Sequence, residues 1–335
     1  HIKGGNGIVP RRARIIGTGS TVPDKVLTNY DLEKMVDTSD KWITERTGIK
    51  ERRIADEETA ASDLGIVAAR RAIENSGVDP KEIEVVVVAT SSPDMLFPST
   101  SCIVQSQLGI GKVPALDVNA ACSGFMYALI VSRGLLESGM YDTLLLIGAE
   151  ALTKLVDWTD RGTCVLLADG AGACVMRTSN GDRGLLSTYA GADGSLASLL
   201  CLPAGGSRLP ATVDTVKQGM HYVKMKGNEV FKHAVRAMVL AANNALKAAG
   251  LETEDVDLFI PHQANIRIIN GAAERLHLPK EKVYINIHRL GNTSAASIAI
   301  ALDEANREGR IKEGDIVVLD SFGGGLTWSA AVIRW

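Results

Sequence analysis

The chain has 335 residues, of which 46% are apolar and 22% charged, and a formal net charge of −3. That length can bury a large core in one or two domains, and so balanced a charge gives no pull toward nucleic acid or an anionic membrane surface. Its apolar stretches are short and interrupted, so none is a candidate membrane span.

His1-Ile2-Lys3-Gly4-Gly5-Asn6-Gly7 has neither a methionine nor the apolar region of a signal peptide, and residues 1–10 are set aside as a tag or disordered start. Residues 14–19 read as a short strand, followed by a turn at Pro23-Asp24. Gly17-Thr18-Gly19 reads as a tight turn, since a dinucleotide loop would need a third glycine where Val22 stands. Residues 31–46 are helical, broken and recapped at Asp37-Thr38-Ser39-Asp40. Residues 59–76 form a helix with Leu64, Val67, Ala68, Ala72 and Ile73 on its apolar side, ending at Gly77. The run from Val85 to Ala89 has the pattern of a strand covered on both faces, and residues 144–147 repeat it. A helix over 99–108 and a strand over 113–118 lie between them. Residues 164–167 and 171–176 flank Asp169-Gly170 as a hairpin, and 195–220, with Pro203, Gly205-Gly206 and Pro210, form a long surface excursion.

The second half repeats the first. Ala69, Ala72-Ile73, Gly77-Val78 and Ile83-Glu84-Val85 match Ala242, Ala245-Leu246, Gly250-Leu251 and Val256-Asp257-Leu258 at an offset of 173 (242 − 69). Ala128-Leu129 against Ala301-Leu302, and Asp142-Thr143-Leu144-Leu145 against Asp315-Ile316-Val317-Val318, keep that offset. The pattern predicts two pseudo-symmetric α/β halves, 11–180 and 181–335, joined at the polar stretch 177–182, each a mainly parallel sheet carrying helices.

The most informative stretch is Asn119-Ala120-Ala121-Cys122-Ser123-Gly124, where a strand ends and Phe125, Leu129, Ile130 and Leu136 take up helical spacing. Cys122 then stands near the free amides of a helix N-terminus, a setting that favours the nucleophilic thiolate. An inert buried cysteine fits the spacing equally well. The offset of 173 carries this turn onto Ala295, inside Arg289-Leu290-Gly291-Asn292-Thr293-Ser294-Ala295-Ala296-Ser297. Equivalent turns of two such halves can meet at their interface, where ligand sites gather. A further strand ends in Ile260-Pro261-His262-Gln263-Ala264-Asn265. Cysteine, histidine and asparagine suit two chemistries. A papain-like hydrolase uses the histidine to deprotonate the cysteine. A condensing enzyme holds an acyl group on the cysteine while the other two donate hydrogen bonds to a second thioester.

Ala-Cys-Ser-Gly-Phe at Cys122, Pro-His-Gln-Ala-Asn at His262, Gly-Asn-Thr-Ser at Asn292 and Gly323-Gly324-Gly325-Leu326-Thr327-Trp328, in that order, resemble the β-ketoacyl-acyl carrier protein synthase III family. The resemblance runs from about Arg14 to Trp335 and implies a thiolase fold, a five-layered αβαβα sandwich, in a cytoplasmic homodimer. It implies decarboxylative condensation of a short acyl-CoA, acetyl-CoA above all, with malonyl-acyl carrier protein, initiating fatty-acid synthesis. Cys122 would carry the acyl group, His262 and Asn292 would bind the malonyl thioester carbonyl, and the amides of Cys122 and Gly324 would form an oxyanion hole. Trp42 and Arg161 would hold the adenine of CoA with Thr38 and Arg46 nearby, Arg267 would meet the carrier protein, and Phe97 would close the partner subunit's acyl pocket. No metal and no cofactor are implied, CoA entering as the substrate thioester.

The motifs set close relatives apart. Elongating condensing enzymes have a second histidine where Asn292 stands, and thiolases need a cysteine near the final glycines, where Asp320-Ser321-Phe322-Gly323 has none. A quinolone-forming or polyketide-priming relative shares the same set and stays as the alternative, with a cysteine hydrolase and a non-catalytic scaffold behind it. Ala168 and Ala299 depart from the glycine and proline common in the family, away from Cys122, His262 and Asn292. The five cysteines are an odd number without close pairs, which fits neither a disulfide framework nor a Cys-x-x-Cys metal site and suits a reducing compartment.

Overall fold

The computed structural model describes residues 11–335, so the expected tag or disordered start at 1–10 lies outside the described residues. In chain order the elements are β1 (Arg11–Thr21), β2 (Val26–Thr28), α1 (Asn29–Leu32), α2 (Asp40–Thr47), β3 (Glu51–Arg53), α3 (Ala61–Ser76), β4 (Val85–Ala89), α4 (Thr100–Gln107), β5 (Ala115–Val118), α5 (Gly124–Glu137), β6 (Thr143–Ala151), α6 (Arg161–Cys164) and β7 (Asp169–Asn180). There follow β8 (Gly184–Ala192), β9 (Leu200–Cys201), α7 (Val213–Lys217), β10 (Lys224–Met225), α8 (Gly227–Ala249), β11 (Leu258–Pro261), α9 (Ile266–Arg275), α10 (Ile287–Leu290), α11 (Ser297–Arg307), β12 (Ile316–Gly323) and β13 (Thr327–Arg334).

One sheet has the order β1-β7-β6-β4-β5 and the other β8-β13-β12-β11. Val283, bridged in parallel to Phe259, stands where a fifth strand would complete the second copy. The pairs β4–β5, β4–β6 and β11–β12 are parallel, whereas β6–β7, β1–β7, β12–β13 and β8–β13 are antiparallel. The sheets are therefore mixed, not mainly parallel. The chain leaves β6 through a loop and the short α6, without the long crossover helix that a parallel return requires.

Side-chain alternation sets the layers. Val85, Val87, Leu144 and Leu146 face one core with Phe125 and Leu129 of α5 and Ile298 and Leu302 of α11, while Val86, Val88, Leu145 and Ile147 face α3. Leu258, Ile260, Val317 and Leu319 close the same central core from the second sheet, whose other face packs against α8 and α9. Helices α5 and α11 thus lie between the sheets and α3 and α8 outside them, which makes five layers. Phe125 is fully enclosed, and truncating it to alanine should cost about 3–5 kcal/mol. The offset of 173 holds in three dimensions: it carries Gly124 onto Ser297, Thr143 onto Ile316, and the 3₁₀ turn Ala121–Ser123 onto Ser294–Ala296.

Three local expectations fail. Gly17 and Gly19 lie inside β1, not in a turn, and a Cβ on either would fall within 2.5 Å of α3, so they let the helix close on the strand. No hairpin forms at Asp169-Gly170: residues 161–164 are helical and β7 begins at Asp169, whose buried carboxylate accepts from the amides of Ala55 and Thr153. Residues 195–220 are not wholly a surface excursion either, because Leu200 and Cys201 pair with Met225 and Lys224 and face the interior cavity described next.

Candidate active site

The two pseudo-equivalent turns meet. Ala121 and Ser294, separated by the repeat offset, both hold φ at 47°, a left-handed conformation that an alanine or serine adopts only at a cost of about 1–3 kcal/mol. Cys122 follows the first and Asn292 precedes the second, and the Ser294 hydroxyl donates to Cys122 Sγ at 3.2 Å. Gly323 packs on the cysteine turn so closely that a Cβ would lie 2.8 Å from the Cys122 nitrogen, and Gly324 lies against Ala121 and the Leu200 carbonyl.

Each side chain is oriented by identifiable bonds. Asn292 exchanges backbone hydrogen bonds with Leu166 and Ala168, both 2.9 Å. Its Oδ1 accepts from the Ser294 amide at 2.9 Å, which leaves Nδ2 as the group turned to the cavity. His262 lies at the end of β11, buried, with Nδ1 2.5 Å from Ser297 Oγ at the start of α11. Ser297 Oγ accepts from the Gln263 amide at 3.3 Å and keeps one hydroxyl proton to donate. A ring that accepts at Nδ1 carries its proton on Nε2. Burial drives the His262 pKa down to about 3, keeping the ring neutral.

The cysteine departs from expectation. Burial pushes the Cys122 thiol up to about 11, with the Ser294 hydroxyl opposing the rise and the Glu150 carboxylate adding to it. Desolvation therefore outweighs the helix end, and the group at rest is a thiol. Glu150, on β6 and fully buried, accepts from the amides of Ser91 and Ser92 at 3.1 Å, the Ser92 hydroxyl at 2.5 Å and the Ala295 amide at 3.4 Å. Burial raises its pKa to about 7 in spite of those donors.

Two cavities join at Cys122 and Asn292. The outer one, about 240 Å³, is lined by Trp42, Arg46, Arg161, Arg267 and His262. The inner one, about 140 Å³, is walled by apolar side chains including Leu152, Leu167, Leu200 and Met225. At the outer mouth the guanidinium carbons of Arg161 and Arg46 lie 5.1 and 5.2 Å from the centroid of the Trp42 ring. Arg267, the second residue of α9, lies over Phe231. Thr38 lines neither cavity; its buried hydroxyl has no partner among the described residues. Phe97 is 84% exposed and contributes to neither cavity of its own chain.

Motif reading missed Ser297, Glu150 and the wall residues Leu200, Cys201 and Met225. Ser297 sits in the Asn292 motif and could have been found; the others carry no signal of their own, because only the meeting of the halves makes them neighbours. Among the described residues no group of three or more histidine, cysteine, aspartate or glutamate side chains could hold a metal, and no helix is long and apolar enough to cross a membrane.

Residues 116–194 match the family model described as 3-oxoacyl-[acyl-carrier-protein] synthase III, and residues 246–335 match the model of its C-terminal part. The chain is 54% identical over 323 residues to the β-ketoacyl-[acyl-carrier-protein] synthase III of Caldanaerobacter subterraneus subsp. tengcongensis, covering 96% of this chain and 98% of that one. The crystal structure of the synthase III from Aquifex aeolicus is similar at a TM-score of 0.89 and 50% identity, over 96% of this chain and all of that one. The priming β-ketosynthase of the R1128 polyketide pathway is similar at 0.89 and 35%, over 98% of each. The layered architecture is thus the thiolase-like one of these neighbours. The first family match contains Cys122 and the second contains His262 and Asn292, the residues that the fold brings to one cavity, and with half of all positions identical along nearly the full length, the chain belongs to the 3-oxoacyl-[acyl-carrier-protein] synthase III family.

Proposed function

We propose that the chain is an initiating condensing enzyme that joins a short acyl-CoA to malonyl-acyl carrier protein through an acyl-cysteine. The Cys122 sulfur attacks the acyl-CoA carbonyl, the new carbon–sulfur bond replaces the old, and CoA leaves with the proton of the thiol. The malonyl carboxylate then departs as carbon dioxide and its bonding electrons form an enolate on the thioester. Nε2–H of His262 and Nδ2–H of Asn292 donate to that oxygen as its charge develops. The enolate carbon attacks the acyl-cysteine and expels the sulfur as a thiolate, which takes up a proton from solvent. The 3-oxoacyl-carrier product leaves, and no metal or cofactor enters any step.

The observation that carries this reading is the Ser297–His262 contact of 2.5 Å. A histidine that already accepts at Nδ1 and is held neutral in a buried site offers a proton from Nε2. That is what an enolate needs and what a thiol-deprotonating base does not supply. We assign the amides of Cys122 and Gly324 to the oxyanion hole, and Trp42 and Arg161, with Thr38 and Arg46, to the adenine. Arg267 serves the acidic carrier, and Phe97 the acyl pocket of the partner in a homodimer. Halves 11–180 and 181–335 each bring one turn. The cytoplasm is the compartment that suits free thiols.

Labelled acetyl-CoA follows the first half-reaction and carbon dioxide release from malonyl-carrier the second. Cys122→Ala should lose the covalent adduct and keep some decarboxylation. His262→Ala and Asn292→Ala should still acquire the adduct and lose decarboxylation by roughly 10²–10³ each. If His262→Ala abolishes both together, the histidine activates the thiol and a hydrolase-type division of labour applies.

The second reading, a priming enzyme of secondary metabolism, draws support from the likeness to the R1128 priming ketosynthase. A panel of acyl-CoAs read by intact mass separates the two. Phe97 as a pocket-closing ring favours acetyl-CoA, and efficient acylation by dodecanoyl-CoA would count against it.

A further inference from the structure

Arg52, on β3, is fully buried and lines neither cavity of the site. Its guanidinium donates to three neutral acceptors: the Leu27 carbonyl at 3.0 Å, Asn29 Oδ1 at 2.9 Å and the Val165 carbonyl at 2.9 Å. Its Nε has no partner among the described residues. Taking a guanidinium out of water without a carboxylate on it is costly, and a methionine of similar length would fill the space without that penalty. What the planar fork adds is direction, because it ties three segments at fixed angles.

Two of those ties lead to opposite sides of the candidate site. Val165 precedes Leu166, whose carbonyl accepts from the Asn292 amide at 2.9 Å, while the Ala168 amide returns a bond of 2.9 Å to the Asn292 carbonyl. Gly291, at φ +67°, is pressed from the other direction: a Cβ there would lie 2.9 Å from Arg52 Cβ and 3.1 Å from Ala168 Cβ. Arg52 therefore bounds the Asn292 turn through its stem and through its head. Asn29, the other partner, donates from Nδ2 to Asp40 Oδ1 at 2.9 Å and to the Ile49 carbonyl at 2.8 Å. Those bonds fix both ends of α2, the helix that carries Trp42 and Arg46.

We propose that Arg52 is a positioning residue that holds the Asn292 turn in register with the Trp42 helix. The proposal rests on the reading of Asn292 as a donor to the malonyl carbonyl. It separates Arg52 from an ordinary packing residue by what should fail on its loss. The acyl adduct depends on Cys122 and its turn, which Arg52 does not touch. Decarboxylation depends on the aim of Asn292, and acyl-CoA affinity on the seat of α2.

The test uses the full chain with Arg52→Met, Arg52→Lys and Asn292→Ala, each assayed for adduct formation at saturating acetyl-CoA, for acetyl-CoA KM and for carbon dioxide release from malonyl-carrier. Arg52→Met should keep the adduct, lose decarboxylation about 10²-fold as Asn292→Ala does, and raise the acetyl-CoA KM about fivefold. Arg52→Lys, which keeps the charge but cannot bond all three acceptors at once, should lose decarboxylation about 10-fold; it carries the test if the methionine variant does not fold. Loss of both half-reactions in equal measure, or decarboxylation within about threefold of wild type in the variant that folds, overturns the proposal. If Asn292→Ala itself decarboxylates normally, the functional reading fails first, independently of Arg52.

Discussion

The Ser297 hydroxyl stands 2.5 Å from Nδ1 of His262, and the helix that presents it begins at Ser297, in the motif that also carries Asn292. Donation from that hydroxyl to Nδ1 puts the ring proton on Nε2. Ser297→Ala frees Nδ1 and leaves the Gln263 amide without its acceptor. A buried hydrogen bond lost in this way is worth about 1–3 kcal/mol. Decarboxylation of malonyl-carrier should slow roughly 5- to 150-fold, and ¹⁵N NMR should detect protonation at Nδ1. Unchanged turnover with an unchanged tautomer would remove Ser297 from the mechanism.

Glu150 adds its charge to the burial that holds the cysteine neutral. Its carboxyl, raised to about 7 by burial, is charged above neutrality, and that charge adds to the burial that holds the Cys122 thiol high. Glu150→Gln should therefore speed alkylation of Cys122 by iodoacetamide at pH 8. At pH 6 the wild-type carboxyl is mostly protonated, so the two rates should converge. The variant should also lose about 1–3 kcal/mol of stability, because an amide NH₂ faces the donors that the carboxylate accepted. Slower alkylation of the variant at pH 8 contradicts the assignment.

At the outer mouth the gap is too narrow for a nucleobase. Two stacking contacts of about 3.5 Å would separate Trp42 from a guanidinium by about 7 Å, and Arg161 lies at 5.1 Å, tied to the Asp37 carbonyl at 2.9 Å. Acyl-CoA should displace Arg161 and quench or shift Trp42 fluorescence on binding. Trp42→Ala should raise the acyl-CoA KM by the worth of one stacked base, about 1–3 kcal/mol or roughly 5- to 150-fold, and leave the malonyl-carrier KM alone. An unaltered acyl-CoA KM places the adenine elsewhere.

Asp320 is a buried acid whose carboxyl oxygens have no well-formed hydrogen bond among the described residues, and burial raises its pKa well above the usual carboxylate range, with the Ser321 amide opposing the rise. A folded-state pKa above the unfolded one means that the folded protein binds the extra proton. Stability from this residue is then fullest below about pH 4 and falls as pH climbs toward the folded value. Asp320→Asn should match wild type near pH 4 and pull ahead above it, by about 1.4 kcal/mol per pH unit until the folded carboxyl titrates. Thermal melts across pH 4–8 measure this, and a gap that does not widen with pH would mean the carboxyl is solvated.

The chain by itself determined the large-scale plan and singled out the residues proposed to react. Its apolar runs fixed β4 and β6 as strands covered on both faces, and the offset of 173 paired the Cys122 turn with the Asn292 turn before any contact was known. Those features are legible because they rest on local periodicity and on turn chemistry that a few adjacent residues carry. Tertiary structure decided what depends on surroundings. Gly17 and Gly19 are strand residues because β7 pairs with them, and α3 can close on them because they lack a Cβ. The carboxylate of Asp169, where β7 opens, is held by the amides of Ala55 and Thr153 from distant segments. The state of the thiol reversed for the same reason: a helix end acts over one turn, but desolvation by both halves, with Glu150 beneath, governs Cys122. Charge, tautomer and cavity wall are sums over neighbours that folding alone assembles, and no stretch of sequence contains them.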